Sequence, residues 1–127
     1  MFLYNEVQKR EANQERVRVG LIGAGKFGSM FLSQVPFSVG LEVISIVDIS
    51  VENAKKNCRD VGWTKEQIES VLFFDNLNKM ISQTKIDVLV EATGDPVEGT
   101  KHALIAIEQG LDTVSYTHLT LPTSDLV

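Results

Sequence analysis

The apolar residues of this chain fall into short runs that alternate with stretches of mixed polarity. The runs are rich in Val, Ile and Leu and occupy residues 17–22, 41–48, 71–74, 87–92 and 111–113. Runs of this kind are typical of strands buried on both faces of a parallel sheet. The stretches between them predict helices, the longest at about 26–35, 51–60 and 96–109. Alternating strands and helices predict an α/β fold with a doubly wound parallel sheet.

Two of the predicted helices carry an apolar stripe that is expected to face the core. In the first helix the stripe consists of Phe27, Met30, Phe31 and Val35. In the last helix it consists of Val97, Leu104, Ile105 and Ile107. Residues spaced three or four positions apart lie on one side of a helix, so each stripe is expected to be buried.

Residues that favour helix ends support these boundaries. The predicted N-caps are Ser50, Asp75, Asp95 and Thr64, the last of which has the capping-box spacing with Gln67. Pro36 is expected to end the first helix, because proline is poorly tolerated inside a helix.

A glycine-rich turn links the first strand to the first helix. It consists of Gly23-Ala24-Gly25-Lys26-Phe27-Gly28. In this spacing Gly23 permits the tight turn, Gly25 allows a pyrophosphate to approach the backbone, and Gly28 allows close packing of helix and strand. Because the turn opens a helix, free N–H groups converge there and predict a dinucleotide site made of main chain. Lys26 either adds charge beside the phosphates or is a solvated lysine.

Asp48 follows the second strand, about 20 residues after the glycine turn. A carboxylate at this edge of the sheet can accept both ribose hydroxyls of an adenosine, and it repels a 2′-phosphate. Ile49, Ser50 and Val51 follow it and supply no arginine for such a phosphate. The sequence therefore favours NAD as the cofactor, with NADP as the second candidate. The alternative role for Asp48 is that of a helix-capping aspartate.

The totals of the chain exclude several classes of protein. With 127 residues the chain has room for one modest domain. Its net charge of −5, with scattered Lys and Arg, argues against a nucleic-acid partner. No apolar run approaches the ~20 residues of a membrane span, so no membrane partner is expected. The single cysteine, Cys58, fits a reducing cytosol and predicts a cytoplasmic protein; we interpret it as a packing residue rather than a nucleophile.

Four segments together resemble a known enzyme family. They are residues 17–28, the segment Gly40-Leu41-Glu42-Val43 that leads to Asp48, the sequence Glu91-Ala92-Thr93-Gly94 and the helix segment 102–110. With the N-terminal helix, they resemble the cofactor domain of homoserine dehydrogenase-like NAD(P)-dependent oxidoreductases. The closest likeness is to the branch whose members also carry a C-terminal SAF domain, and it covers roughly residues 1–113. The resemblance implies a Rossmann-type fold. It also implies a pyrophosphate held by Gly23, Ala24, Gly25, Lys26, Phe27 and Gly28, an adenine ribose held by Asp48, and a nicotinamide-ribose side lined by Ala92, Thr93 and Gly94.

The same resemblance divides the chain into three parts. Residues 1–16 are expected to form an N-terminal helical arm, and residues 17–113 an incomplete NAD(P)-binding domain. Residues 114–127 are expected to be a non-native tail, because residues 114–124 resemble one reading frame of a transposase-adapter sequence used in DNA library preparation. The alternative is a real, short terminal strand and tail. Tyr116 and His118 are therefore not assigned to catalysis.

The leading hypothesis is the NAD(P)-binding part of an oxidoreductase. The whole enzyme would transfer a hydride between the cofactor and a small polar hydroxy or carbonyl substrate, without a metal and as a possible homo-oligomer, while this chain would bind without turnover. The alternatives are a nucleotide-sensing module without catalysis and a methyltransferase domain that uses S-adenosylmethionine. His102 is assigned a surface or packing role rather than catalysis, and Glu91 either contacts the cofactor or is a structural carboxylate.

Overall fold

The computed structural model describes residues 16–115. The strands are β1 Val17–Ile22, β2 Leu41–Val47, β3 Leu72–Phe74, β4 Val88–Glu91 and β5 Asp112–Ser115. The helices are α1 Lys26–Gln34, α2 Val51–Asp60, α3 Lys65–Glu69, α4 Leu77–Gln83 and α5 Pro96–Glu108, with a 3-10 turn at Val35–Phe37. The predicted arm lies outside the described residues apart from Arg16, as do Tyr116 and His118. β5 includes Val114 and Ser115, the first two residues of the predicted tail, whose boundary stays a prediction.

The five strands form one parallel sheet in the order β3-β2-β1-β4-β5, which confirms the predicted doubly wound α/β fold. β1 lies at the centre, where Leu21 pairs with Ile46 on one side and Val90 on the other. From β1 the chain proceeds outward to β3 and then returns to β4 on the opposite side of β1. This reversal of strand order opens a crevice at the carboxyl ends of β1 and β4, where ligands of such sheets bind.

Each face of the sheet has its own apolar cluster. On one face α1 and α2 contribute buried Phe31, Leu32 and Cys58 to the larger cluster. On the other face α4 contributes Met80 and α5 contributes Ala106 to the smaller one. Helices on both faces explain why the strands are apolar throughout, because neither side of the sheet faces water.

The buried stripe of α1 differs from the predicted one. Met30 is 40% exposed, whereas Leu32 is fully buried. The buried side of the helix is centred on Gly28, Phe31, Leu32 and Val35, which follow an i, i+3, i+4, i+7 spacing. Gly28 sets this rotation, because its missing side chain lets the helix lie directly against the glycine turn.

The prediction for α5 was wrong for three of its four residues. Val97, Leu104 and Ile107 are 64%, 56% and 71% exposed. Ile105 is partly buried against the smaller cluster, and the fully buried residue of this helix is Ala106. The small Ala106 side chain lets α5 approach the sheet on the side that carries Ile105, which leaves the other three residues on the opposite side of the helix.

The predicted caps are confirmed at three of four helices. Ser50, Thr64 and Asp95 each accept a backbone N–H bond at the start of their helix, and Thr64 forms the capping box with Gln67. The cap of α4 is Asn76 rather than Asp75, because Asn76 Oδ1 accepts from Lys79 N at 3.1 Å. A cap bonds the N–H three residues ahead, so the position is fixed by where the helix begins.

Cys58 and Trp63 both stabilise the α1–α2 face. Cys58 is fully buried, and burial raises the pKa of its thiol from 9.0 to about 11, which supports the packing interpretation. Trp63 packs partly buried against the same cluster, and its indole Nε1 donates to the Leu32 carbonyl oxygen at 2.8 Å. That bond satisfies a carbonyl in the last turn of α1, which has no partner within the helix.

Candidate functional site

A cavity of about 590 Å³ opens at the carboxyl ends of β1, β2 and β4. The glycine turn contributes Gly23 and Gly25 to its wall, and the end of β2 contributes Asp48. Ala92 and Thr93 lie opposite, after β4, and the remaining walls come from the start of α4 and from α5. The topology thus brings together predicted site residues from three separate parts of the sequence.

The glycines of the turn have distinct structural roles. Gly23 has a φ of +90°, which L side chains rarely adopt. A Cβ on Gly28 would lie 1.9 Å from the Gly23 carbonyl oxygen, so no side chain fits at that position. A Cβ on Gly25 would meet nothing within 4 Å, and Gly25 is exposed at the start of α1. The turn is therefore closed toward the sheet and open toward the cavity.

The Asp48 carboxylate bonds two backbone N–H groups. Its Oδ2 accepts from Ala24 N at 2.8 Å, and its Oδ1 accepts from Ser50 N at 3.0 Å. Ser50, not Asp48, caps α2, which excludes the capping role considered for Asp48. Because each carboxylate oxygen has two acceptor sites, Asp48 retains capacity for further donors while it holds the glycine turn.

The turn after β4 is held by a buried carboxylate. Glu91, 5% exposed, accepts from Thr93 N at 2.8 Å and from the Thr93 hydroxyl through the same oxygen, Oε1. Its other oxygen, Oε2, lies 2.5 Å from His102 Nδ1. The sequence left the role of Glu91 open and did not predict the contact with His102, because the two residues belong to different elements.

The remaining predicted site residues lie around the edge of this arrangement. Ala24 is fully buried and Gly28 is buried, so both lie on the side of the turn that faces away from the cavity. Lys26 is exposed, with its Nζ 5.9 Å from the centroid of the Phe27 ring. The Phe27 ring packs under Gly94, where a Cβ would lie 2.7 Å from it. Lys26, Phe27 and Gly94 do not line the main cavity.

Gly94 borders a second, smaller cavity of about 390 Å³. Its wall includes Glu91, the start of α5 and Thr113 of β5. The Oγ1 atom of Thr113 is a buried polar atom without a hydrogen-bond partner among residues 16–115. Glu91 lines only this second cavity, whereas Asp95 borders both.

Residues 16–115 contain neither a membrane-spanning helix nor a cluster of metal ligands. None of the helices in that range has the length and apolar character needed to cross a membrane. Within the same range, no three His, Cys, Asp or Glu side chains converge as metal ligands would.

Residues 17–115 match the model of the GFO_IDH_MocA family, an oxidoreductase family with an NAD-binding Rossmann fold. The chain belongs to this family. The match confirms the Rossmann-type fold, the oxidoreductase class and NAD as the cofactor. No curated protein matches the chain.

Solved structures of dehydrogenases share the fold. A dehydrogenase from Chromobacterium violaceum is 22% identical with a TM-score of 0.65, over 79% of this chain and 27% of that one. Myo-inositol dehydrogenase from Lactobacillus casei, in complex with NAD(H) and myo-inositol, is 20% identical with a TM-score of 0.64, over 79% and 28%. The WlbA dehydrogenase from Bordetella pertussis, in complex with NADH and UDP-GlcNAcA, is 22% identical with a TM-score of 0.60, over 80% and 28%. The chain thus spans little more than a quarter of the length of these proteins.

Proposed function

We propose that this chain binds NAD in the main cavity as the cofactor-binding part of a dehydrogenase. The whole enzyme would transfer a hydride between nicotinamide and a small polar hydroxy or carbonyl substrate. The observation that carries the proposal is the pairing of an open backbone turn at Gly25 with the Asp48 carboxylate in one cavity. When bound, NAD supplies the hydride chemistry at its nicotinamide ring. The residues of this chain bind and orient it.

The residues present fit a dinucleotide. The empty space beside Gly25 admits a pyrophosphate to the N-terminus of α1, where backbone N–H groups and the helix dipole favour an anion. Asp48 would accept ribose hydroxyls with the acceptor sites that Ala24 and Ser50 leave free. Ala92 and Thr93 would line the other end of the ligand, and Lys26, Phe27 and Gly94 would support the two turns from outside.

Asp48 also favours NAD over NADP. A 2′-phosphate on the adenine ribose would meet the Asp48 carboxylate, which is held in place by two backbone bonds. The residues that follow, Ile49, Ser50 and Val51, offer no arginine to compensate that charge. We therefore propose NAD as the preferred cofactor and NADP as a weaker ligand.

Within its family we propose that the chain belongs to the homoserine dehydrogenase-like branch with a SAF domain. The sequences Glu91-Ala92-Thr93-Gly94 and 102–110 support this finer placement. The inositol and UDP-sugar ligands of the similar dehydrogenases agree with a small polar hydroxy substrate. We place the substrate-binding and catalytic groups outside this chain, and we expect a cytoplasmic, homo-oligomeric whole protein.

Calorimetric titration of the chain with NAD, NADP and S-adenosylmethionine tests the proposal. We expect NAD to bind more tightly than NADP, S-adenosylmethionine not to bind, and no hydride transfer to small alcohols. Asp48→Ala should weaken NAD binding by about tenfold, on the order of 1.4 kcal/mol. It should also reduce the difference between the affinities for NAD and NADP. Preference for S-adenosylmethionine would replace the proposal with a methyltransferase domain. Tight NAD binding by a whole protein that transfers no hydride would favour a nucleotide sensor.

A further inference from the structure

The buried Glu91 carboxylate contacts one ring nitrogen of His102 and two groups of Thr93. Oε1 of Glu91 accepts two donors from Thr93, its backbone N–H and its hydroxyl. The hydroxyl is the donor of this pair because a carboxylate oxygen only accepts, and its own oxygen accepts from Asp95 N at 3.3 Å. Oε2 is then the atom that faces His102 Nδ1. An ionised carboxylate only accepts, so Nδ1 must be the donor.

This assignment decides the chemistry of the other ring nitrogen. In a neutral imidazole one nitrogen donates and the other accepts. With the proton on Nδ1, the lone pair of Nε2 is free to accept. Glu98 Oε2 lies 3.9 Å from Nε2, which is longer than a hydrogen bond.

His102 lines the ligand cavity, whereas Glu91, which faces its Nδ1, is not part of that lining. His102 and Glu98 both line the main cavity, together with Gly23, Gly25 and Asp48. The His102 side chain is only 15% exposed, so its orientation is fixed by packing as well as by Glu91. A ring held in this way presents one acceptor to a bound ligand at little entropic cost.

We propose that His102 is a ligand-binding residue whose Nε2 accepts a hydrogen bond from a hydroxyl or NH₂ group of the bound dinucleotide. Glu91 is its positioning residue, which sets the tautomer and holds the ring. The proposal rests on the proposed NAD-binding function and adds to it a polar contact from α5. It replaces the surface or packing role that the sequence suggested for His102.

The substitution Glu91→Gln tests the positioning role. A glutamine keeps the shape of Glu91, but its carbonyl oxygen must face the two Thr93 donors, so its NH₂ group faces Nδ1. The ring is then expected to move its proton to Nε2, which turns the acceptor into a donor. Two-bond ¹H–¹⁵N spectra of the neutral ring distinguish the protonated from the bare nitrogen. The only other histidine is His118, so recording the spectra in a His118→Gln background isolates the His102 signals.

Glu98→Gln is the matched control for this experiment. It makes the same carboxylate-to-amide change in the same cavity wall, but Glu98 does not contact Nδ1. We expect the proton on Nδ1 in the Glu98→Gln variant and on Nε2 in the Glu91→Gln variant. An unchanged tautomer in Glu91→Gln would overturn the positioning role.

The substitution His102→Asn tests the binding role. The asparagine NH₂ group can still donate to Glu91, but nothing replaces Nε2. We expect an unfolding midpoint close to that of the parent chain and NAD binding roughly five- to tenfold weaker, the usual loss for one neutral hydrogen bond. Glu91→Gln should weaken NAD binding to a similar extent.

The outcomes separate this inference from the proposed function. If the parent chain binds NAD and His102→Asn and Glu91→Gln bind it equally well, the inference on His102 is wrong while the proposed function stands. If the parent chain does not bind NAD, the proposed function itself is wrong, whatever the tautomer of His102.

Discussion

Two turns border the same cavity, and they are held in place by different means. The glycine turn after β1 depends on the absence of a side chain at Gly28, because a Cβ there would collide with the backbone of Gly23. The turn after β4 is shaped by a side chain, the Glu91 carboxylate, which bonds Thr93 and His102. The first turn offers backbone N–H groups to a ligand, and the second offers polar side chains.

The difference determines how each turn responds to substitution. A turn that depends on backbone contact has no tolerance for a Cβ at its closest point, since backbone atoms cannot move aside individually. A turn that depends on hydrogen bonds can keep its shape while the polarity of one atom changes. We therefore expect a side chain at Gly28, the closest point of the first turn, to cost more stability than the loss of one hydrogen-bonding group from the second turn.

The largest effect is expected for Gly28→Ala. The added Cβ would lie 1.9 Å from the Gly23 carbonyl oxygen, so α1 must move away from the turn. Overpacking of this kind costs about 1–3 kcal/mol and occasionally more, and we expect the upper end of that range because the obstructing atom is backbone. Urea unfolding of the variant and the parent chain measures the loss. Equal midpoints would show that the turn is not held by this contact.

Gly25→Ala sharpens the comparison within the same turn. Its Cβ meets no atom within 4 Å, and Gly25 has a φ of −80°, so we expect a change in stability of no more than ~0.5 kcal/mol. The methyl group would nevertheless occupy the space proposed for the pyrophosphate. We expect NAD binding to weaken by about tenfold, on the order of 1.4 kcal/mol, in the same titration as for the parent chain. Unchanged affinity would contradict the placement of the ligand at this turn.

Thr93→Val tests the second turn. Valine removes the hydroxyl that donates to Glu91 and accepts from Asp95 N, and it keeps the backbone N–H bond. We expect a loss of ~1 kcal/mol in the free energy of unfolding, because Glu91 Oε1 loses the hydroxyl donor but keeps the backbone N–H of Thr93. Thr93→Ser retains the hydroxyl and is the control, expected to lie close to the parent chain. A loss as large as that of Gly28→Ala would erase the distinction between the two turns.

The smallest effect is expected at Cys58, in the apolar cluster to which α1 and α2 contribute. Burial raises the pKa of this thiol from 9.0 to about 11, so the folded chain retains a proton that the unfolded chain releases. The free energy of unfolding should therefore fall as the pH rises from 9.0 toward 11, by less than ~1 kcal/mol at pH ~9.5. Cys58→Ala should lose this part of the pH dependence. Parallel pH profiles for the two chains would show that the thiol does not contribute.

The alternation of strands and helices and the glycine turn could be predicted because their signals are local. Apolar runs identified the five strands, and the spacing of Gly23, Gly25 and Gly28 together with Asp48 identified the cavity edge. Each of these depends on residues within one strand–turn–helix unit or on its direct continuation. The family match agrees with the predicted NAD-binding Rossmann fold.

The features that were missed depend on how separate elements meet. The burial of α5 could not be inferred from its sequence, because Leu104 and Ala106 are both apolar and only the packing distance to the sheet favours the smaller residue. The bond between Glu91 and His102 joins the end of β4 to the second turn of α5 and has no spacing rule. The Asn76 cap was missed by one residue, since both Asp75 and Asn76 are good caps.

The indole bond from Trp63 to Leu32 gives the chain a built-in optical reporter. Trp63 is the only tryptophan, and its ring is attached to the last turn of the helix whose first turn forms the glycine site. Its emission will therefore follow the docking of α1 on the sheet, without any attached dye. A shift in its wavelength during titration would report movement of that helix, whereas a constant wavelength would indicate that the ligand enters a site already in place.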